Sequence, residues 1–293
     1  MITVFGATGN TGRTAATRLL KAGKKVRAVA RHREKLADLG KAGAEIAVGD
    51  VEDAGFVREA LGGAEAAYVL IPPNMVVDDF RAYQKRVVDA VAGGVEAAGV
   101  KYVVLLSSLG AHQSEGTGPI VGLHLFEERL KKITALNALF LRAGFFMENT
   151  LMGVPTVKGQ GIYATPFPGD IPAPYIAAAD IGTYAALRLE RLDFKDKSVV
   201  HLTGPKSISG NDVVSLLGQA IGKPIRYVQS TFEAMEQGLK QAGLKPAMIA
   251  DYIEMYKGAG KGLLAAEAGG VMVATSTTFE TFAKDVFLPA YGG

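Results

Sequence analysis

The sequence contains no cysteine, which excludes disulfides, thiolate metal sites and a cysteine nucleophile. Histidine is scarce: His32, His112, His124 and His201 are the only four. None of them stands at close ligand spacing, so no structural zinc and no other bound metal is expected. No apolar run reaches membrane-spanning length, and no membrane partner is expected. An excess of one charge is also lacking. Lys and Arg number 32 against 29 Asp and Glu, a net charge of +3, with no concentrated basic run, so no nucleic-acid partner is expected. A first strand that begins at residue 2 leaves no room for a secretory leader, and the expected location is the cytoplasm.

What is present is apolar enough to fold around a sizeable core: 48% hydrophobic against 21% charged residues over 293 positions. The organising stretch is Met1–Gly12, MITVFGATGNTG. Ile2–Phe5 is a β-branched apolar run of strand length that stops at Gly6, and Gly9 and Gly12 follow at three-residue intervals. From Thr11 the pattern turns helical, with Ala15, Leu19 and Leu20 on one face and Gly23 as a stop. Strand, glycine turn and helix in that order set backbone N–H groups and a positive helix end against a pyrophosphate. Gly6 permits the tight turn, Gly9 the close backbone approach, and Gly12 the packing of helix on strand. Gly6, Thr8, Gly9, Asn10, Thr11 and Gly12 are therefore candidate cofactor contacts; the alternative is a plain structural turn.

Further along, Lys25–Ala30 alternates as a second strand and ends on Arg31, with Arg33 and Lys35 just beyond. An acid at that strand end would hold a ribose 2′-hydroxyl, whereas a guanidinium grips a 2′-phosphate. Arg31 thus favours NADP(H), with NAD(H) as the alternative cofactor. Glu45–Val48 is a third strand, after which Asp50 is read either as an adenine contact or as a capping acid, with Val51 beside it. Asp53 reads as the cap of a helix over Gly55–Leu61. Ala64–Ile71 is a fourth strand, closed by Pro72 and Pro73, which places Ile71 and Pro72 beside the cofactor. A long helical pattern covers Val77–Ala98, and Lys101–Leu106 is a fifth strand landing on Ser107. Helical His124–Lys132, a sixth strand at Ala138–Leu141, a Gly/Pro-rich stretch over Gly159–Pro174, a helix at Ala179–Arg191, a strand at Ser198–Leu202 and a helix over Ser209–Gly222 complete the pattern. Thr277 with Glu280 reads as a capping box for a last helix, Phe279–Phe287.

This alternation predicts an α/β fold: a Rossmann-like doubly wound parallel sheet with a smaller α+β C-terminal lobe. The expected division is 1–150 for cofactor and 151–293 for substrate, the two halves interwoven because no polar linker separates them.

The motifs GATGNTGR (Gly6–Arg13), AVAR (Ala28–Arg31), Gly49-Asp50, LLSSLGA (Leu105–Ala111) and LRAGFFMEN (Leu141–Asn149), with TTFETFAKD (Thr277–Asp285), carry a resemblance over essentially the whole chain. The sequence resembles the NmrA-like group of atypical short-chain dehydrogenase/reductases, its layout most similar to bacterial NAD(P)H:quinone or dye reductases. The group also contains catalytically silent NADP-sensing regulators, so a non-catalytic regulator acting through protein partners is the alternative reading.

Ordinary short-chain reductases protonate their substrate with a Tyr-x-x-x-Lys pair. None of the ten tyrosines here has a lysine four residues on, and the resemblance puts Ile120 and His124 at those two places. Simple ketone reduction and sugar-nucleotide epimerisation are therefore disfavoured. Hydride transfer survives where the acceptor delocalises the charge itself, as a quinone or an extended dye does, and proximity then carries the catalysis. The expected partner is such a small-molecule electron acceptor. Phe145, Phe146 and Met147 are candidate apolar walls for it, or ordinary core residues. His124 is a candidate proton donor or cofactor contact, Ser107 a candidate contact to nicotinamide or substrate, and Asn149 a polar contact or a cap for a helix at Thr150–Gly153. A homodimer is the default assembly expected.

Overall fold

The strands that build the centre of the molecule are short, apolar and buried on both sides. In the computed structural model, which describes residues 1–292, all four residues of Ala66–Val69 are buried, as expected of a strand sandwiched between helical layers. The strands in chain order are β1 (Ile2–Val4), β2 (Val26–Ala30), β3 (Glu45–Val48), β4 (Ala66–Val69), β5 (Tyr102–Ser108), β6 (Asn137–Ala143), β7 (Phe145–Phe146), β8 (Ile162–Thr165), β9 (Tyr175–Ile176), β10 (Lys197–Thr203), β11 (Arg226–Gln229) and β12 (Val271–Ala274). Eight of them form one sheet in the order β12-β10-β6-β5-β4-β1-β2-β3, every pairing parallel. Strand order reverses between β1 and β4. In doubly wound sheets that reversal opens a crevice outside the carboxyl ends of the strands, where ligands bind.

The α-helices are α1 (Asn10–Lys21), α2 (Ala37–Lys41), α3 (Ala54–Leu61), α4 (Phe80–Ala97), α5 (Val121–Lys131), α6 (Val154–Gln160), α7 (Ala178–Arg191), α8 (Gly210–Ile221), α9 (Phe232–Gln241), α10 (Pro246–Gly260), α11 (Phe279–Phe282) and α12 (Leu288–Gly292). One sheet face is covered by α3, α4, α5 and α10 through Val57, Val87, Val91, Phe126 and Ile249. The other is covered by α1 and α7 through Ala15, Leu19, Ile181, Ala185 and Leu189. A third core, around Tyr163, Val213, Leu217, Phe282 and Phe287, belongs to the C-terminal lobe. That lobe carries two further parallel strand pairs, β8–β11 and β7–β9. Because β10 and β12 return to the main sheet and α7 packs on α1, the later half of the chain completes the earlier half.

Local chemistry explains most boundaries. Asp53 accepts from the N–H groups of Gly55 and Phe56 and so caps α3, and Asp79 caps α4. Ser209 and Asp212 form a reciprocal capping box at α8. The box read at Thr277 is displaced by one residue. Thr278 accepts from the Thr281 N–H to start Phe279–Phe282, which runs on to Phe287. Thr277 turns away to Asp180 of α7, donating through its hydroxyl at 2.8 Å and its N–H at 3.0 Å. The edge strand β12 has no counterpart in the sequence reading. No helix among the described residues is long and apolar enough to cross a membrane.

Candidate active site

The glycine loop lies at the carboxyl end of β1. Gly6 has φ +62°, and the Gly9 N–H donates to its carbonyl at 2.9 Å, closing the turn that left-handed backbone makes possible. A Cβ on Gly12 would stand 2.3 Å from the Gly6 carbonyl oxygen, inside van der Waals contact, so only glycine fits there. Gly9 is the N-cap of α1 and places no side chain over the first-turn N–H groups. Thr8 is half-buried, Gly9 and Asn10 are exposed, and Thr11 is buried against α7. There the Thr11 carbonyl comes so close that a Cβ on Gly182 would sit 2.4 Å from it.

Arg31 follows β2 directly, is exposed, and its guanidinium has no hydrogen-bond or ion-pair partner among the described residues. Its neighbourhood is shared with Asp50. Both act electrostatically on Tyr83, whose hydroxyl burial pushes up to about 12, with Glu52 and Arg86 alongside. The Tyr83 hydroxyl donates to the Pro72 carbonyl at 2.8 Å, tying α4 to the loop after β4. Arg31, Asp50 and Pro72 therefore meet on one rim of the crevice. Asp50 accepts from the Glu52 N–H at 3.0 Å in a turn that leads into the Asp53 cap. Val51 is buried and Ile71 half-buried.

At the other rim, Ser107, Arg142 and His201 lie side by side across β5, β6 and β10. Ser107 is 3% exposed and its hydroxyl donates to Glu127 Oε1 at 2.6 Å. Arg142 Nε and Nη2 donate to the two oxygens of Glu127 at 3.0 and 2.6 Å, and its Nη1 donates to Glu267 at 2.9 Å. Burial disfavours the charged guanidinium, but the two carboxylates outweigh it and hold Arg142 above its ordinary range. His201 is fully buried beside this network, and neither ring nitrogen has a partner. Burial, then Arg142, push its pKa down. The backbone at Gly270 passes so near that a Cβ there would be 2.3 Å from the imidazole.

His124, one turn before Glu127 on α5, has Nδ1 3.0 Å from the Ala111 carbonyl oxygen. Since a carbonyl only accepts, Nδ1 carries the proton and Nε2 is left free. Ile120 is buried, so no acid stands at the position where a tyrosine would be.

In LRAGFFMEN the side chains part company. Phe145 is half-buried, its ring 6.1 Å from that of Tyr175 and 6.5 Å from that of Phe167. Phe146 packs against the α1/α7 core, and Met147 is buried in the core of the lobe. Asn149 is exposed within a short helix, Met147–Gly153, rather than at its start. The Met147–Gly153 helix has no side-chain cap, and Glu148, which sequence reasoning passed over, caps a different helix. Both its oxygens accept from the Ala178 N–H, at 3.0 and 3.1 Å, at the start of α7, where Ala177 offers no side-chain cap. Glu127 and Arg142 were also passed over, because a buried pair 15 residues apart leaves no local pattern.

The model of the NmrA-like family matches residues 1–263. The chain belongs to the NmrA-like family. An NAD(P)H azoreductase of Xenophilus azovorans is 30% identical over 287 residues, covering 97% of this chain and 96% of that one. Among solved structures, the triphenylmethane reductase of Citrobacter sp. superposes with a TM-score of 0.81 at 20% identity, covering 98% of this chain and 99% of that one. An NADPH-dependent quinone oxidoreductase of Escherichia coli superposes at 0.80 with 23% identity, covering 98% and 100%. These structures share the fold of this chain.

Proposed function

We propose that this NmrA-like chain is an NADPH-dependent reductase of quinones or comparable extended electrophiles, with NADH as a weaker donor. The observation that carries the reading is a glycine cradle beside a guanidinium without a protein partner, in a chain that has Ile120 and His124 where a tyrosine–lysine acid pair would stand. The dinucleotide fits what is present. The turn at Gly6, with Gly12 packed tight on the Gly6 carbonyl, ends in the first turn of α1, whose N–H groups no side chain caps and which would take a pyrophosphate, and Arg31 has its donors free for a 2′-phosphate. Bound there, the dinucleotide supplies a hydride.

The remaining work falls to the chain's own residues. Residues 1–150 hold the cofactor and the segments from 151 onward shape the acceptor side. Phe145 offers a flat apolar surface to the acceptor. His124, with Nδ1 fixed on Ala111, presents Nε2 to take or give a proton. Ser107, its proton engaged by Glu127, keeps only acceptor capacity for a ligand. The azoreductase, dye reductase and quinone reductase names among the relatives all describe acceptors that spread charge over an extended π-system.

The test is NADPH oxidation by the purified protein with and without a panel of small quinones, NADH run in parallel. Saturable, quinone-dependent oxidation that prefers NADPH is expected. Folded protein that binds NADP(H) but turns over no acceptor overturns the reading in favour of a cofactor-sensing regulator.

A further inference from the structure

The tautomer of His124 is set by a loop that is held from the far end of the chain. The carbonyl facing its ring belongs to Ala111, 3.0 Å from Nδ1, in the loop of residues 109–117 that follows β5. The near end of that loop is tied to β6, where the Ala143 carbonyl accepts from the Leu109 N–H at 3.0 Å. The Ala111 N–H turns back to donate to the Ser108 carbonyl at 3.1 Å. Gly110, Gly116 and Gly118 all have positive φ, at +85°, +77° and +56°. A stretch so rich in glycine does little by itself to fix where its carbonyls point.

The fixing comes from α10. Glu254 Oε1 accepts from the Gly116 N–H at 2.9 Å, across 138 positions of sequence. Added Cβ atoms at Gly118 and Gly258 would collide with the Asp251 and Gly116 carbonyls, so loop and helix touch backbone to backbone. Past the helix end, the Leu263 N–H donates to the Gly258 carbonyl at 3.0 Å. That turn lays the Leu263 carbonyl and Leu264 against Gly110, the neighbour of Ala111. The helix is anchored in its turn by Arg81 of α4, which donates to Asp251 at 2.8 Å and to Glu254 Oε2 at 2.6 Å. One oxygen of Glu254 thus faces the anchor and the other faces the loop.

We propose that Glu254 is a positioning residue for His124. By holding the loop through the Gly116 N–H, it keeps the Ala111 carbonyl on Nδ1 and so leaves Nε2 as the nitrogen that exchanges protons. With the carbonyl withdrawn, Nδ1 loses its acceptor, the imidazole proton is free to settle on Nε2, and that nitrogen no longer accepts. Glu254 itself touches neither cofactor nor acceptor in this account. The inference rests on the reductase reading above, which gives His124 its part in proton exchange.

The test compares the wild type with Glu254→Ala, which removes the acceptor of the Gly116 N–H, and Glu254→Gln, whose amide oxygen still accepts it. Nitrogen-15 spectra of protein labelled in histidine, taken at about pH 8.5 where an ordinary imidazole is neutral, report which ring nitrogen carries the proton. The chain has four histidines, and the signals of His124 are those lost in His124→Ala. The wild type should show His124 as the Nδ1–H form. Glu254→Ala should move the tautomer ratio at least about fivefold towards Nε2–H. It should also lower quinone kcat about tenfold while KM stays within about twofold. Glu254→Gln should restore the wild-type spectrum and most of kcat. Leu264→Ala loosens the loop from the Gly110 side and should shift both readouts in the same direction as Glu254→Ala. An unchanged His124 spectrum in Glu254→Ala, or in Leu264→Ala should the former not fold, overturns the assignment. So does a shifted spectrum with unchanged kcat, or a Glu254→Gln variant as impaired as Glu254→Ala. Wild-type protein that turns over no quinone overturns the reductase reading instead, and the spectra still decide whether Glu254 sets the tautomer.

Discussion

Replacing Glu127 with Gln tests whether the crevice is held by a buried charge network. Glu127 is 1% exposed and accepts three hydrogen bonds, one from Ser107 and two from Arg142. The amide keeps the shape but turns one acceptor into a donor that faces donors. It also leaves Arg142 buried with Glu267 alone, a side chain 53% exposed and well screened. Breaking a buried pair by removing one partner costs about 3–5 kcal/mol. For a chain of this length each kcal/mol moves Tm by roughly 2 °C, the low end of the range for larger domains. The expected fall in Tm is therefore about 6–10 °C. Urea unfolding followed by circular dichroism gives the free energy and thermal scans the midpoint. Removing both charges together, as Glu127→Gln with Arg142→Met, should cost much less than the sum of the two single changes. A single-variant loss below about 1 kcal/mol, or simple additivity in the double variant, would refute the account.

Arg31→Glu replaces the free guanidinium by a repelling carboxylate. It should weaken NADPH binding at least about 30-fold while changing NADH binding only a few-fold. Equal effects, measured by fluorescence titration, remove Arg31 from the 2′-phosphate site. His124→Ala should lower quinone turnover at least about tenfold, and a near-wild-type rate in the same assay removes His124 from the chemistry. Because the His201 pKa is lowered in the folded state, the unfolded chain binds more protons below its ordinary 6.5, so stability should fall as pH drops through that value. His201→Leu removes two unpartnered nitrogens among Arg142, Glu127, Glu267 and His112 and should flatten that dependence, read from urea midpoints between pH 7 and about 5. An unchanged slope would assign it to another group.

The parallel sheet was legible because its strands are buried apolar runs broken by glycine, proline or a capping acid, all of which act locally. β12 escaped the same reading. Val271 and Met272 are more than half exposed at the sheet edge, so no burial pattern marks them. The glycine turn after β1 was legible for the same local reason. The Glu127–Arg142 pair and the Glu148 cap were not. Each joins residues on separate elements and depends on how helices and lobe are laid over the sheet. Thr277 shows the limit at single-residue scale: two adjacent threonines offer the same cap, and a distant aspartate decides which one is left to make it.

The return of β10 and β12 to the main sheet governs what can be cut or exchanged. A fragment ending near residue 150 would bare the whole flank of β6, lose Glu267 from Arg142, and expose backbone ready to pair with any passing strand. The loops of the lobe, by contrast, carry the aromatic residues without contributing to that flank. Grafting new acceptor preferences onto this chain is therefore a matter of swapping loops between β7 and β9. Joining a cofactor half from one relative to an acceptor half from another would divide a single sheet in two.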